Sequence, residues 1–369
     1  LNISQHPQPL TSMQGQAVHQ EREKFFWADR LRNIATILVI AIHIAAPIAH
    51  GYPDLDTWWW WTGNWWNSLS RPAVPLFVML SGYLLLSKDY PLPVFLKKRF
   101  SRIIIPALFW MSVYLLYNYI AKGDPATLWD AVKRIVSGPV HYHLWFIYLI
   151  IGLYLVYPIL RAWVKTASEQ DLLYFLILCA IGTWGYKLLY EFGHISIGIY
   201  FELAVNNAGY FVLGYYLGTK SASDDDREGM SWRFTRRQLA QIGLALVVIG
   251  TASTATLSYW FGHVRGQNFN FFYDYLTPNV SISAAGWFLL VKSAFNTKPL
   301  LPIEKDFAAA SFGIYFVHVL VIDWWAQCGY WHSKVHPFKG IPVIVGIVTI
   351  MSFLVIAFLR EMPGGKKIT

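Results

Sequence analysis

An arginine and a histidine within one apolar stretch of the chain have a spacing that could support chemistry inside a membrane. They are Arg32 and His43, in the segment WADRLRNIATILVIAIHIAAPIAH that covers residues 27–50. On an α-helix this separation corresponds to about three turns plus 20° and a rise of about 16 Å, so both side chains share one face. An ionisable side chain in the hydrocarbon core is costly unless it faces the interior of a helix bundle or a water-filled cavity.

A histidine in such a position has two possible roles. It can exchange a proton with a reacting group, because imidazole titrates near neutral pH. It can also stay neutral and hydrogen-bond a neighbouring helix, while Arg32 simply marks the cytoplasmic end of the span. The spacing of Arg32 and His43 alone leaves both roles open.

The composition indicates an integral membrane protein. Of the 369 residues, 55% are hydrophobic and 14% are charged, which is far less charge than a water-soluble domain carries. A net charge of +9 could indicate nucleic-acid binding, but the basic residues form loop clusters between apolar runs, as membrane topology produces. We therefore expect an all-α, polytopic protein in a lipid bilayer and no nucleic-acid partner.

About ten apolar segments are long enough to cross a bilayer as helices. They lie near residues 33–50, 70–87, 100–120, 142–160, 171–188, 200–217, 239–260, 275–291, 307–326 and 341–359. An even number of spans places both termini on one side. Most of the 30 Lys and Arg residues fall on that side, so the positive-inside rule predicts that both termini are cytoplasmic.

The domain organisation expected from this pattern is simple. Residues 1–24 are polar and are expected to form a disordered cytoplasmic N-terminus, residues 25–362 a single transmembrane domain, and residues 363–369 a short cytoplasmic tail. The two cysteines suggest no disulfide framework. The 11 histidines show no ligand spacing beside carboxylates or cysteines, so no metal is expected.

Seven segments, in order along the chain, resemble the motifs of the acyltransferase family 3 membrane proteins. The first is DRLRNIATILVIAIH, which carries the Arg-(ten residues)-His pattern of that family's first helix. The others are SRPAVPLFVMLSGYLLL, KKRFSRIIIP, YHLWFIYLIIGLYLVYPIL, YFVLGYYLG, FYDYLTPNV and SFGIYFVH. The similarity extends from about residue 25 to residue 360. Within the family, the chain is similar to bacterial O-acetyltransferases of surface polysaccharides, such as the enzyme that acetylates enterobacterial common antigen.

This resemblance implies an enzyme of the bacterial inner membrane that transfers an acyl group, usually acetyl from acetyl-CoA, to a carbohydrate hydroxyl. The acceptor would be a lipid-linked intermediate, a glycan or an exopolysaccharide. Arg32 would bind the phosphates of coenzyme A through charge-assisted hydrogen bonds at the cytoplasmic mouth. His43 would meet the thioester and act as general base. A covalent acetyl-histidine on His43 is the alternative that the sequence leaves open.

Three further arginines are candidates for binding substrate. Arg99 and Arg102 form an Arg-x-x-Arg pattern at the cytoplasmic start of the third span, and side chains three residues apart on a helix can reach one partner. Because the family carries the same pattern, we expect a structural role or a contact with coenzyme A phosphates. Arg71 opens the second span on the extracytoplasmic side, where it could pair with the pyrophosphate of a lipid-linked sugar or extend to lipid headgroups.

Two smaller groups could contact the acceptor or orient His43. Tyr315 and His318 share a polar helix face in the ninth span, which could serve the site or hold helices together. His143 and Trp145 lie at the outer start of the fourth span and could contact the acceptor or anchor the helix at the interface. A tryptophan-rich segment at residues 58–66 is expected to be an interfacial belt in the first outer loop.

Other functions are compatible with buried ionisable residues. The first is transport of an anionic metabolite or a polysaccharide precursor, although the sequence lacks the internal repeats that many transporters show. The second is a non-catalytic subunit that works with polysaccharide-assembly proteins. Within the enzyme class, the transferred group could be succinyl or another acyl group instead of acetyl. The volume of the pocket selects the acyl group, and the sequence does not give that volume.

Overall fold

The structure is a computed structural model that describes residues 26–51, 54–123, 127–196, 201–225, 229–295, 298–329 and 336–369. Those residues are mostly helical and form no named β-strand, so the predicted all-α fold is confirmed. The segment 1–24, expected to be disordered, lies outside the described residues. The described residues contain thirteen α-helices, in chain order α1 Phe26–Gly51, α2 Trp58–Ser70, α3 Ala73–Leu86, α4 Leu92–Lys122, α5 Leu128–Ser137, α6 Trp145–Thr166, α7 Glu169–Ala180, α8 Tyr186–Gly193, α9 Phe201–Thr219, α10 Arg236–Arg265, α11 Pro278–Phe295, α12 Pro302–Gln327 and α13 Pro337–Glu361.

By length and apolar composition, eight segments within the described residues could cross a membrane. They are Phe26–Gly51, Trp58–Leu86, Leu92–Ala121, Tyr142–Thr166, Glu169–Gly193, Arg236–Arg265, Pro302–Gln327 and Pro337–Glu361. The two other predicted spans, 200–217 and 275–291, coincide with α9 and α11, which are helical but outside this set. The protein is therefore a multi-pass membrane protein, and the number ten stays a prediction.

Polar caps fix several helix ends. Ser168 and Asp171 form a capping box at the start of α7, and Thr235 and Gln238 form another at the start of α10. Gly266 has a φ of 63° directly after α10, the left-handed conformation that ends many helices. These side chains and turns hydrogen-bond backbone groups at the helix ends, which the hydrocarbon of a bilayer cannot do. The helices therefore end where such partners are available.

The tryptophan-rich segment is a helix rather than the predicted loop. Thr57 caps α2 by accepting a hydrogen bond from the backbone of Trp60. Trp60 and Asn64 are buried against α1 and α10, whereas Trp58 remains 80% exposed. The inward face of the segment is a mixture of large and polar side chains that find partners, and Trp65 is exposed like Trp58.

Helix α1 lies at the centre of the bundle. It contacts α2, α3, α11, α12 and α13, and most of its apolar side chains are buried. Trp27 packs against the rings of Tyr83 and Phe288, with ring centroids 5.0 and 5.2 Å away. A central α1 is what positions Arg32 and His43 at two depths within the protein.

Helices α3 and α9 approach each other so closely that only glycine fits at their contact. A Cβ atom on Gly214 would lie 1.9 Å from the carbonyl oxygen of Met79, and small residues are what allow such backbone approach between membrane helices. We expect Gly214→Leu to cost about 1–3 kcal/mol of stability or more. Melting temperatures in detergent test this, with Gly152→Leu as control because a Cβ there meets nothing within 4 Å. Equal melting temperatures for the two variants would contradict the packing argument.

Candidate active site

Histidines from three parts of the chain meet around His43. The ring of His318 on α12 lies 5.2 Å from that of His43 between centroids, and the ring of His143 lies 6.4 Å away. His143 belongs to the short 3-10 turn Tyr142–Leu144 that precedes α6, and Tyr142 places its ring 5.3 Å from His43. His318 and His143 are buried, whereas Tyr142 is 57% exposed.

The hydrogen bonds of His318 define its protonation. Its Nδ1 donates to the backbone carbonyls of Tyr315, at 2.7 Å, and of Ile314, at 3.2 Å. A carbonyl oxygen can only accept, so the proton of neutral His318 is on Nδ1 and the lone pair is on Nε2. That Nε2 is buried and has no hydrogen-bond partner within the described part of the chain. Buried polar atoms are normally hydrogen-bonded, so this lone pair can accept a hydrogen bond from a donor such as a hydroxyl group or a protonated imidazole.

Tyr315 joins the turn to α12. Its hydroxyl donates to the backbone carbonyl of His143 at 2.6 Å, and Nδ1 of His143 lies 3.1 Å from Nδ1 of His141, so one of these imidazoles donates to the other. Tyr114 adds a ring centroid 4.9 Å from His143. These contacts hold the turn in a fixed position beside His43.

A cavity of about 870 Å³ leads toward this cluster from the side of the protein where α1 begins. Arg32, Arg99 and Arg102 line it together at one end, and Ser311 and Tyr315 line its inner part. Tyr315 also borders a small pocket that includes His318. An elongated anionic molecule could therefore bind with its charged end at the arginines and its other end close to the histidines.

The charged mouth of the cavity is strongly positive. Arg32 forms an ion pair with Asp29 at 2.5 Å, but no acidic residue of the described chain lines the cavity itself. Arg99 and Arg102 have no carboxylate partner within the described residues. Cations that lack internal counter-charges create a potential that attracts phosphate groups.

Arg71 lies in a second polar region, at the junction of α2 and α3. The residue is only 9% exposed, and its Nη2 donates to Nε2 of His50 at 2.9 Å. Its guanidinium lies 5.1 Å from the ring centroid of Tyr273 and 5.7 Å from that of Tyr275. Its Nε has no hydrogen-bond partner and the residue has no carboxylate partner among the residues described. The ring of Tyr275 also stacks on that of Trp145, with 5.6 Å between the ring centroids.

The residues proposed from sequence thus fall into three neighbouring groups. Arg32, Arg99 and Arg102 line the cavity mouth. A second group, around the imidazole of His43, consists of His43, His143, Tyr315 and His318. Arg71 and Trp145 are linked through Tyr275. Nine other residues in these groups were not among the predicted site residues: His50, Tyr114, His141, Tyr142, Tyr273, Tyr275, Arg360, Lys366 and Lys367.

One signal for the missed residues was present in the sequence. His141 alternates with His143 around Tyr142, so a second histidine on the same turn could have been expected. No described group of three or more His, Cys, Asp or Glu residues has an arrangement that could hold a metal ion.

The fold and the site define a multi-pass membrane protein with a cationic cavity that leads toward a histidine cluster. The family model described as an acyltransferase domain, that of acyltransferase family 3, matches residues 25–361. The chain therefore belongs to this family and is a membrane acyltransferase. No curated protein and no solved structure matches the chain.

Proposed function

We propose that the protein transfers the acetyl group of acetyl-CoA to a sugar hydroxyl of a lipid-linked intermediate, glycan or exopolysaccharide, in the bacterial inner membrane with its N-terminus cytoplasmic. The observation that supports this proposal is the cavity with a cationic mouth, which shares Phe77 and Tyr315 of its wall with a small pocket bordered by His318. The family supplies the reaction type. The cavity supplies a reason to choose a long, phosphorylated acyl donor.

The donor would lie along the cavity. Arg32, Arg99 and Arg102 would bind phosphate oxygens through charge-assisted hydrogen bonds, which are stronger than neutral ones. The pantetheine arm would pass the apolar lining near Phe77 and bring the thioester toward Tyr315 and His43. The ion pair of Arg32 with Asp29 would orient the guanidinium at the mouth.

Direct transfer then needs one base and one acceptor oxygen. His43 would take the proton from the sugar hydroxyl while that oxygen bonds to the carbonyl carbon of the thioester. The carbon–sulfur bond breaks, and the thiolate takes the proton back from His43. The products are the O-acetyl ester and free coenzyme A, and His43 returns to its starting state.

His318 would support the protonated form of His43. Its Nε2 lone pair has no hydrogen-bond partner in the described chain. The ring centroid of His43 lies 5.2 Å from that of His318, and the ring centroid of His143 lies 5.4 Å from it. When His43 holds the substrate proton, both of its nitrogens carry hydrogen, and one N–H can be directed to this lone pair directly or through a water.

We expect His318→Phe to lower kcat about 10–100-fold, the effect of losing one hydrogen bond to a charged group, with little change in KM for either substrate. Steady-state kinetics with both substrates varied measure this separation. His318→Gln keeps an amide donor and a carbonyl acceptor and should recover part of kcat. An equal loss of kcat in both variants would indicate that His318 acts through packing alone.

The acceptor would bind at the other polar region. Arg71 is a buried cation without a carboxylate partner in the described chain, which suits the phosphate of a lipid-linked sugar. Trp145 and Tyr275 present aromatic rings beside it, where a sugar could stack. Entry beside the exposed Tyr142 would deliver the hydroxyl to His43 from the side opposite the donor.

Donor selection tests the proposal. Purified protein in nanodiscs, given lipid-linked sugars and either acetyl-CoA or succinyl-CoA, should consume acetyl-CoA faster and only when an acceptor is present. Faster consumption of succinyl-CoA would show that the transferred group is succinyl and not acetyl. Uptake of coenzyme A thioesters into proteoliposomes without thioester loss would favour the transporter.

A further inference from the structure

The residues that follow α13 fold back over the cationic mouth of the cavity. We call residues 363–369 the C-terminal strap. The strap contains the 3-10 turn Gly365–Lys367, and the indole Nε1 of Trp110 on α4 donates to the backbone carbonyl of Ile368 at 2.8 Å. Lys366, Lys367 and Thr369 line the same cavity as the three arginines of the mouth.

Two glycines set the path of the strap. Gly364 has a φ of 80°, which favours glycine, and Gly365 is buried. A Cβ atom on Gly365 would lie 1.6 Å from the carbonyl oxygen of Leu359. Any larger residue at position 365 must therefore displace either the strap or the end of α13.

The strap brings cations to the mouth from a part of the chain far from the arginines in sequence. Lys366 and Lys367 are exposed, and neither has an ion pair in the described chain. Arg360, at the end of α13, also lines the cavity and is held there by a hydrogen bond from Nη1 to the carbonyl of Ala309, at 2.8 Å. The mouth is thus a ring of cations drawn from α1, α4, α13 and the strap.

We propose that the strap recognises the 3′-phosphate of coenzyme A, and so selects coenzyme A over dephospho-coenzyme A. This inference rests on the proposed function, because it takes the donor to be a coenzyme A thioester. If the thioester reaches the histidine cluster, the nucleotide is the part left at the mouth. The arginines of α1 and α4 lie nearer the pyrophosphate, and the strap lysines meet the more distant 3′-phosphate.

Isothermal titration of coenzyme A and of dephospho-coenzyme A into the full-length protein in nanodiscs tests this inference. The wild type should bind coenzyme A about 10–100-fold more tightly, the effect of one or two charge-assisted hydrogen bonds. The double variant K366A/K367A should bind both ligands with nearly equal affinity. The control K97A/K98A removes the same charge from exposed residues of α4 that do not line the cavity, and it should retain the wild-type preference.

Gly365→Val gives an independent variant, because it keeps both lysines and forces the strap and the end of α13 apart. It should also reduce the preference for coenzyme A, while its affinity for dephospho-coenzyme A stays within about twofold of the wild type. A wild-type preference that survives in K366A/K367A would overturn the strap proposal. Equal wild-type affinity for the two ligands would also overturn it and would leave the proposed transfer reaction standing. Failure of the wild type to bind either ligand would contradict the proposed donor itself, and the strap proposal with it.

Discussion

Replacing His43 with alanine should lower kcat for acetyl transfer by about 10²–10⁴-fold, the usual contribution of a general base. The reason is that the ring of His43 lies beside the imidazoles of His143 and His318, and His318 borders a small pocket that shares Tyr315 with the arginine-lined cavity. Donor affinity should change little, because the arginines proposed to bind its phosphates line the cavity, whereas His43 does not. Single-turnover kinetics, combined with titration of coenzyme A, separate the two effects.

A surface histidine provides the matched control. His263 lies at the end of α10 near Asp56, away from the cluster, and His263→Ala should retain wild-type turnover. Normal turnover by a folded His43→Ala protein would remove His43 from the chemical step. A stable adduct of one acetyl group on His43, found by mass spectrometry when acceptor is omitted, would replace direct transfer with an acetyl-histidine pathway.

Replacing Arg71 should separate acceptor binding from stability. We expect Arg71→Met to raise KM for a phosphate-bearing acceptor about 100-fold, as when a buried charge-assisted contact is lost, with donor affinity unchanged. Its melting temperature should equal or exceed that of the wild type, because a buried cation without a carboxylate partner is costly to desolvate. Acceptor titrations and thermal melts in detergent measure the two quantities.

The conservative variant sharpens this prediction. Arg71→Lys keeps the charge but loses the planar fork that holds two phosphate oxygens and stacks on Tyr273, so its KM should lie between those of wild type and Arg71→Met. Loss of donor binding with intact acceptor binding would contradict the assignment. A large drop in melting temperature for Arg71→Met would instead indicate a structural role.

Short-range helical geometry made part of the site predictable. The spacing of Arg32 and His43 sets their separation on α1 whatever the rest of the chain does. The same holds for Tyr315 and His318 on α12. Arg32 and Tyr315 line one cavity, Tyr315 and His318 border a small pocket beside it, and the ring of His43 lies 5.2 Å from that of His318. Apolar runs likewise indicated the helices, because hydrocarbon requires every backbone group to be bonded within its segment.

Tertiary packing decided what the sequence could not reveal. The strap reaches the cavity only because Gly365 lies against Leu359 and Trp110 holds the carbonyl of Ile368, and neither contact leaves a periodic signal. The buried indole of Trp60 donates to the carbonyl of Ala49 on the preceding helix and to the side chain of Asn268, 208 residues away in the sequence. A tryptophan run looks the same in sequence whether it lies at the interface or within a helix of the bundle.

The most direct test of the account follows the acetyl group itself. The protein in nanodiscs would receive acetyl-CoA labelled with ¹³C in the acetyl group and a panel of lipid-linked sugars, and mass spectrometry would detect the acceptor while a thiol reagent detects released coenzyme A. The account predicts one labelled O-acetyl group on the sugar for each thiol released, and no release without acceptor. Thiol release that leaves every sugar unlabelled, at the same rate with and without acceptor, would contradict it.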